Sequence, residues 1–240
     1  MQTLPWLTIP FSWLTSRAYS RTVPRTASSR SPRERPGLRT GEKFAARRVE
    51  LAAAAMQTLA ELGYARTSLR EIAERTDFSH GLLHYYFADK DDLIYECVRL
   101  YKADCIARHD AMVDRAHSAL EVRSAFADYL ATTVRQDGRM HRLWYDLRNQ
   151  SMFEPALREA VREIDESLES MVWRVLSRYA EATGQTPVVE REFAYRLFDG
   201  LFQHALMRYL HGEEDAPKEL SLQIEAMIDQ LFPPTQRLAC

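Results

Sequence analysis

Three cysteines in 240 residues, Cys97, Cys105 and Cys240, are too few for a disulfide framework. Their scarcity suits a reducing cytoplasm, and the fold must hold by burial alone. Cys97 and Cys105 lie eight apart on one helix face, a spacing that reads as packing before redox or metal chemistry. Positive charge is also short: 32 Lys and Arg stand against 34 Asp and Glu, a net charge of -2. This excludes broad electrostatic capture of nucleic acid, so any DNA-facing surface must be a local patch. No stretch alternates apolar and polar residues with a period of two, which predicts no sheet. No apolar run is long enough to span a bilayer, and no internal repeat occurs. No G-x-S-x-G, H-E-x-x-H, P-loop or Rossmann fingerprint is present. Scattered Asp and Glu lie on amphipathic faces, where solvation explains them. The expectation is therefore no enzyme, no cofactor, no metal and no membrane.

What is present is apolar residues at helical spacing. With 46% of residues hydrophobic, there is ample material for a core. Residues 1–38 differ from the rest. An apolar stretch at 4–14 is broken by Pro5 and Pro10 and lacks the basic start of a secretory signal. Residues 15–39 are rich in Arg, Ser, Thr and Pro, a composition that cannot bury a core and predicts disorder. This extension reads either as a dispensable tail or misassigned start, or as a basic arm on DNA phosphates or in a minor groove. A first helix follows at about 41–62, with Phe44, Val49, Ala52, Ala53, Met56, Leu59 and Leu62 on its inner face. Gly63 ends it.

The most informative stretch is 67–93. Ser68-Leu69-Arg70-Glu71 has the form of a capping box, and Leu69, Ile72 and Ala73 make one apolar face. Thr76-Asp77-Phe78 breaks the pattern, and Ser79 can cap a second short helix, 80–87. Asp89 caps a third, with Asp91 and Asp92 where a helix dipole favours negative charge. Two short helices across a tight turn form a helix-turn-helix, whose second helix can enter a major groove.

The string Gly63-Tyr64, Thr67-Ser68, Ile72-Ala73, Phe78-Ser79, Gly81, Leu83, Tyr85-Tyr86-Phe87, Lys90 and Leu93 resembles the N-terminal domain of the TetR family of transcriptional regulators. The likeness covers about residues 43–95. Two positions depart from it: Asp77 stands where a small residue is common, and His84 replaces a frequent Tyr. Since His84 is a DNA-facing position, the operator sequence does not carry over. The resemblance implies DNA contacts at Ser68, Ser79, His80, Gly81, Leu82, His84, Tyr85 and Lys90. Arg70 is a further phosphate candidate. Leu82 can meet a thymine methyl, and a His can donate to a base or a phosphate. Leu83 and Phe87 read as core. His80 and His84 share the i, i+4 spacing of metal ligands, but no Glu or Cys pair accompanies them. The basic cluster Arg39, Lys43, Arg47 and Arg48 reads equally as phosphate contact or as a solvated face.

Further helices are expected at 90–115, 118–136, 139–150, 153–183, 187–212 and 217–232, with Asp137-Gly138 as one of the breaks. On the fourth helix, Ile94, Cys97, Val98, Tyr101, Cys105 and Met112 face inward. The segment 188–211 carries two apolar stripes, Phe193, Leu197, Leu201, His204 and Tyr195, Phe198, Phe202, Tyr209. The resemblance makes the last two helices half of a four-helix bundle with a second subunit. It also implies an effector pocket in the body. Phe126, Tyr129, Trp144, Arg148, Trp173, Phe198, Phe202 and His204 are its candidate lining, with core packing as the competing explanation for most. Asp199 can instead pair across the bundle.

The resulting expectation is an all-α protein with three parts: a disordered extension (1–38), a three-helix DNA-binding head (39–90) and a ligand-binding and dimerisation body (91–235). It would be a cytoplasmic homodimeric repressor that binds a palindromic double-stranded DNA operator and is released by a small-molecule effector. A helical small-molecule-binding protein or an activator of the same fold is the alternative.

Overall fold

Four helices begin where a Ser or Asp side chain takes up a free backbone N–H. In the computed structural model, which describes residues 36–233 (side chains from 41), there are eight α-helices and no strand among the described residues. The all-α expectation holds. The first four are α1 Pro36–Leu62, α2 Leu69–Arg75, α3 His80–Tyr86 and α4 Lys90–Arg115. Ser68, Ser79 and Asp89 each accept from the backbone N–H three residues on, starting α2, α3 and α4. α1 begins at Pro36, earlier than expected, and a proline fits a first helical turn because its missing N–H has no partner there. The proposed extension up to residue 35, and Cys240, lie outside the described residues. Gly63 ends α1 at φ 73°, a left-handed conformation that a Cβ disfavours, and its N–H returns to Leu59 O at 2.9 Å.

The body is α5 Ala119–Gln150, a single 3-10 turn at Pro155–Leu157, α6 Arg158–Thr183, α7 Arg191–Leu210 and α8 Ala216–Leu231. α5 is the central element and packs against α4, α6, α7 and α8. Residues 41–233 form one compact unit.

Asp137-Gly138 does not break the chain; α5 runs through it for 32 residues. Both residues are there for packing. The buried Asp137 carboxylate accepts from Arg108 of α4 at 3.0 Å. A Cβ at position 138 would meet Leu206 Cδ1 of α7 at 3.4 Å, so the missing side chain lets the two helices approach. α7 starts only at Arg191, and ahead of it the Val188 N–H donates to Leu231 O at the end of α8 at 2.9 Å.

The core is built from all the helices. On α1 Val49, Ala52 and Leu59 of the expected inner face are buried, together with Leu51 and Ala55, whereas Ala53 is exposed and Phe44 is 37% exposed. The inner face is therefore only partly the expected one. Phe44 packs on the rings of Tyr85 and Tyr86 instead, at centroid distances of 6.0 and 4.8 Å. Both Cys97 and Cys105 are free and buried, as expected. Met112 is only half-buried, and Val113 beside it is buried. Of the two stripes on α7, Tyr195, Phe198 and Phe202 face the core. Tyr209 and Leu197 are half-buried, while Phe193 (50% exposed) and His204 face outward.

Candidate nucleic-acid interface and internal cavity

The geometry of α2 and α3 follows from their caps and two anchors. Ser68 Oγ accepts from Glu71 N at 3.1 Å and lies 3.2 Å from Glu71 Oε2. Only half of the capping box forms, since the Glu carboxylate meets the Ser hydroxyl and not its backbone N–H. Leu83 and Phe87 are buried, which fixes the rotation of α3 about its axis. That rotation leaves Ser79, His80, Gly81, His84 and Tyr85 exposed, with Tyr85 at 71%. Leu82 is half-buried against the core, so it anchors α3 as well as bordering its outer face. A Cβ at Gly81 would meet nothing within 4 Å, so packing does not demand a glycine there. Arg70 is exposed and paired with Glu74 at 3.0 Å. A surface pair of this kind holds weakly and leaves Arg70 able to exchange to a phosphate. Lys90 Nζ sits 4.2 Å from the Tyr64 ring centroid. The Nε2 atoms of His80 and His84 are 3.1 Å apart.

Arg48 does not belong with the outward basic cluster. It turns inward and contacts three things at once. Its guanidinium grips Asp92 at 2.5 and 3.0 Å, donates to Tyr86 O at the end of α3, and lies 4.5 Å from the Phe87 ring centroid. A guanidinium fork matches a carboxylate edge, whereas a surface lysine could not bridge α1, α3 and α4 in this way. Burial would raise the Asp92 carboxyl, but hydrogen bonds from Arg48 and the Ala88 N–H, with the Arg48 charge, bring it below its usual value. Arg47 pairs with Glu50, and Lys43 is exposed. The side chain of Arg39 lies outside the described residues.

The body holds a cavity of about 60 Å³ between α4, α5, α6 and α7. Five of the candidate lining residues border it: Phe126, Tyr129, Trp144, Phe198 and Phe202. Three do not. Arg148 is taken by Asp199 at 2.6 Å and Asp165 at 3.4 Å. Trp173 is half-buried against the core away from the cavity lining, and His204 is on the exposed side of α7. Asp199 does pair across the bundle, accepting from Tyr145 and Arg148, and it also borders the cavity.

Among the lining residues that were missed are Thr133, Tyr145, Tyr195 and two buried bases, Lys102 and His141. Lys102 is buried and lies 3.0 Å from His141 Nδ1, itself buried. A signal was available: Lys102 sits on the stripe of Val98 and Cys105, where a charge is out of place. Burial pushes the Lys102 amine down to about 8, against the pull of Cys105, Asp199 and Asp165. Burial, reinforced by the charges of Lys102 and Arg108, holds His141 well below its ordinary value. His109 is lowered by burial, partly offset by Asp110.

Both imidazoles therefore stay neutral in the fold while the unfolded chain takes up protons below about pH 6.5. A base whose folded value is lowered costs stability as pH falls through its unfolded value. The urea midpoint should drop between about pH 7 and about pH 5.5, and His141→Gln should flatten that slope. An unchanged slope in the variant would remove His141 from the acid response.

The comparisons with known proteins agree with this geometry. Residues 51–97 match the family described as "Bacterial regulatory proteins, tetR family". Residues 118–233 match "BetI-type transcriptional repressor, C-terminal". The chain is 31% identical over 115 residues to the HTH-type transcriptional regulator BetI of Burkholderia thailandensis, a match over 47% of this chain and 58% of that protein. It thus spans little more than half the length of that relative. With the BetI regulator of Burkholderia mallei it shares 28% over 193 residues, covering 78% of this chain and 94% of the other. A TetR transcription regulator from Haloarcula marismortui has the same fold, with a TM-score of 0.65 at 18% identity over 78% of this chain and 98% of that one. Among the described residues, no helix is long and apolar enough to cross a membrane. These relatives are transcriptional regulators and not enzymes, and the chain belongs to the TetR family of transcriptional regulators.

Proposed function

We propose that the protein is a ligand-responsive repressor that binds a palindromic operator as a homodimer. The observation that carries the reading is α3: a short helix pinned by Leu83, Phe87 and Arg48, with His80, Gly81, His84 and Tyr85 on its open face. An open helix face on a fixed scaffold suits base readout, while Ser68, Arg70, Ser79 and Lys90 border it as phosphate contacts. Pairing is supported by α7 and α8. Phe193, Met207, Leu210 and Leu222 are exposed apolar residues on helices that otherwise build the core. Two recognition helices would then stand about 34–36 Å apart, one DNA turn. Repression accords with the description of the family that residues 118–233 match. The cavity would bind the effector, with Phe126, Tyr129, Trp144, Phe198 and Phe202 in its wall. Release follows if the effector prefers a spacing of the heads that does not fit DNA. Free buried thiols accord with a cytoplasmic setting.

Selection of an operator from random duplexes, followed by binding measured against salt, tests the reading. A dimer by light scattering is expected, and His84→Ala or Tyr85→Ala should each cost about 1–3 kcal/mol of sequence preference without loss of helix content. Neither residue is buried, so folding should survive. Sequence preference unchanged in both variants would remove α3 as the reading helix.

A further inference from the structure

α1 ends by splitting a backbone pair. If the helix ran further, the Tyr64 N–H would meet Ala60 O, four residues back. Gly63, at φ 73°, turns the chain away and separates the two groups. Each is then taken by α5. Arg142 Nη2 donates to Ala60 O at 3.0 Å, and the Asp146 carboxylate accepts from the Tyr64 N–H. Arg142 and Asp146 are four apart on one face of α5, and both are half-buried. Gly63 is buried beneath them: an added Cβ would stand 3.5 Å from Arg142 Nη2 and 4.0 Å from Asp146 Oδ2. α1 has no basic residue of its own in its last turn, so Arg142 also supplies the positive charge that a helix end favours.

The same corner touches the start of α4. The Tyr64 side chain meets the Asp91 carboxylate, and Lys90, a candidate phosphate contact, lies over its ring. Other polar contacts hold the head to α4: Arg48 grips Asp92, and the Cys97 thiol donates to Ala52 O at 3.2 Å. Attachment to one helix leaves the head free to tilt about it. A second attachment, on α5, fixes the tilt. The turn of α5 that carries Arg142 and Asp146 also places His141, Trp144 and Tyr145 in the cavity wall. The residues that hold the head and the wall that would meet an effector thus belong to one helical segment.

We infer that Arg142 and Asp146 are positioning residues for DNA binding: they hold the head at one angle to the body and so set the half-site spacing that the dimer accepts. The inference rests on the regulator reading for the dimer and its operator, and adds which side chains choose the spacing. Each added base pair moves a half-site by about 3.4 Å and turns it by about 35°. A dimer with stiffly held heads discriminates strongly against such a change, and one with loose heads follows it.

The test takes the operator selected by the full chain and remeasures binding with the half-sites moved one and two base pairs closer and further apart. The unaltered protein should prefer one spacing. In Arg142→Met and in Asp146→Ala, the affinity ratio between preferred and altered spacing should shrink at least about tenfold, the factor for one hydrogen bond to a charged group. Base preferences inside each half-site should stay the same. A merely structural role would lower affinity by one factor at every spacing and leave the ratio as it was. Arg142→Lys, shorter and without the fork, should give an intermediate ratio. If both truncations unfold the chain, the ratio in Arg142→Lys decides. A ratio near one in the unaltered protein, or a ratio unchanged in the variants that fold, overturns this inference and leaves DNA binding intact. Failure of the unaltered chain to select any operator overturns the regulator reading, and this inference with it.

Discussion

Arg48→Ala should loosen the recognition helix without removing any DNA contact. The change deletes a two-pronged bond to Asp92, a hydrogen bond to Tyr86 O and the stacking on Phe87. Both partners of the ion pair are mostly buried, with side chains 21% and 28% exposed. Asp92 would keep only its bond from the Ala88 N–H at 3.0 Å. Breaking a partly buried pair and leaving one member behind costs about 2–4 kcal/mol. Part of that falls on the docking of α3, so operator affinity should drop at least about tenfold, the factor for 1.4 kcal/mol. The salt dependence separates this role from a phosphate contact. A lost phosphate contact lowers the log–log salt slope by about one, whereas a lost positioning residue leaves it unchanged. Arg48→Lys should recover only part of the affinity, because an ammonium cannot hold Asp92 and the carbonyl in one plane. A reduced salt slope with unchanged thermal stability would return Arg48 to the outward cluster.

The second large effect is expected at Asp199. Asp199→Ala removes the acceptor of Tyr145 Oη at 2.9 Å and of Arg148 Nη1 at 2.6 Å. The carboxylate side chain is 14% exposed and that of Arg148 31%, so solvent compensates part of the loss. Arg148 also retains Asp165 at 3.4 Å. A cost of about 2–3 kcal/mol is therefore expected, less than for a fully buried pair. For a chain of this size that lowers the melting temperature by about 5–10 °C. Asp199→Asn keeps an acceptor for the tyrosine and should lose about half as much. Calorimetric melting of both variants checks the order, and equal melting temperatures for Ala and wild type would show that the network contributes nothing to the fold.

These two residues also mark how far the sequence could be read. Asp199 was a pairing candidate from its place on α7, although its partners were not identifiable. The sequence places Arg48 with Arg39, Lys43 and Arg47, since four basic residues within ten positions look alike in one dimension. The Asp92 that draws Arg48 inward is on another helix. The cavity shows the same division. Aromatic residues at helical spacing gave five of its wall residues, but the same signal also included Trp173 and His204, which are elsewhere. Position along a helix fixes which face a side chain is on, not whether the neighbour across it leaves a space.

The sequence by itself determined the head and most helix boundaries. Caps at Ser68, Ser79 and Asp89 act on N–H groups three residues away, and apolar periodicity is set within one or two turns. Such interactions need no partner from elsewhere in the chain. Only the tertiary structure decided the continuity of α5 through Asp137-Gly138, the inward turn of Arg48 and the burial of Lys102 beside His141. Each depends on a residue 29 to 44 positions away, as with Arg108 to Asp137 and Arg48 to Asp92. The same Asp-Gly pair makes a turn in water and a close helix contact when an arginine and a leucine arrive to meet it. The outcome is set by the environment that the folded chain supplies, which no local window of sequence contains.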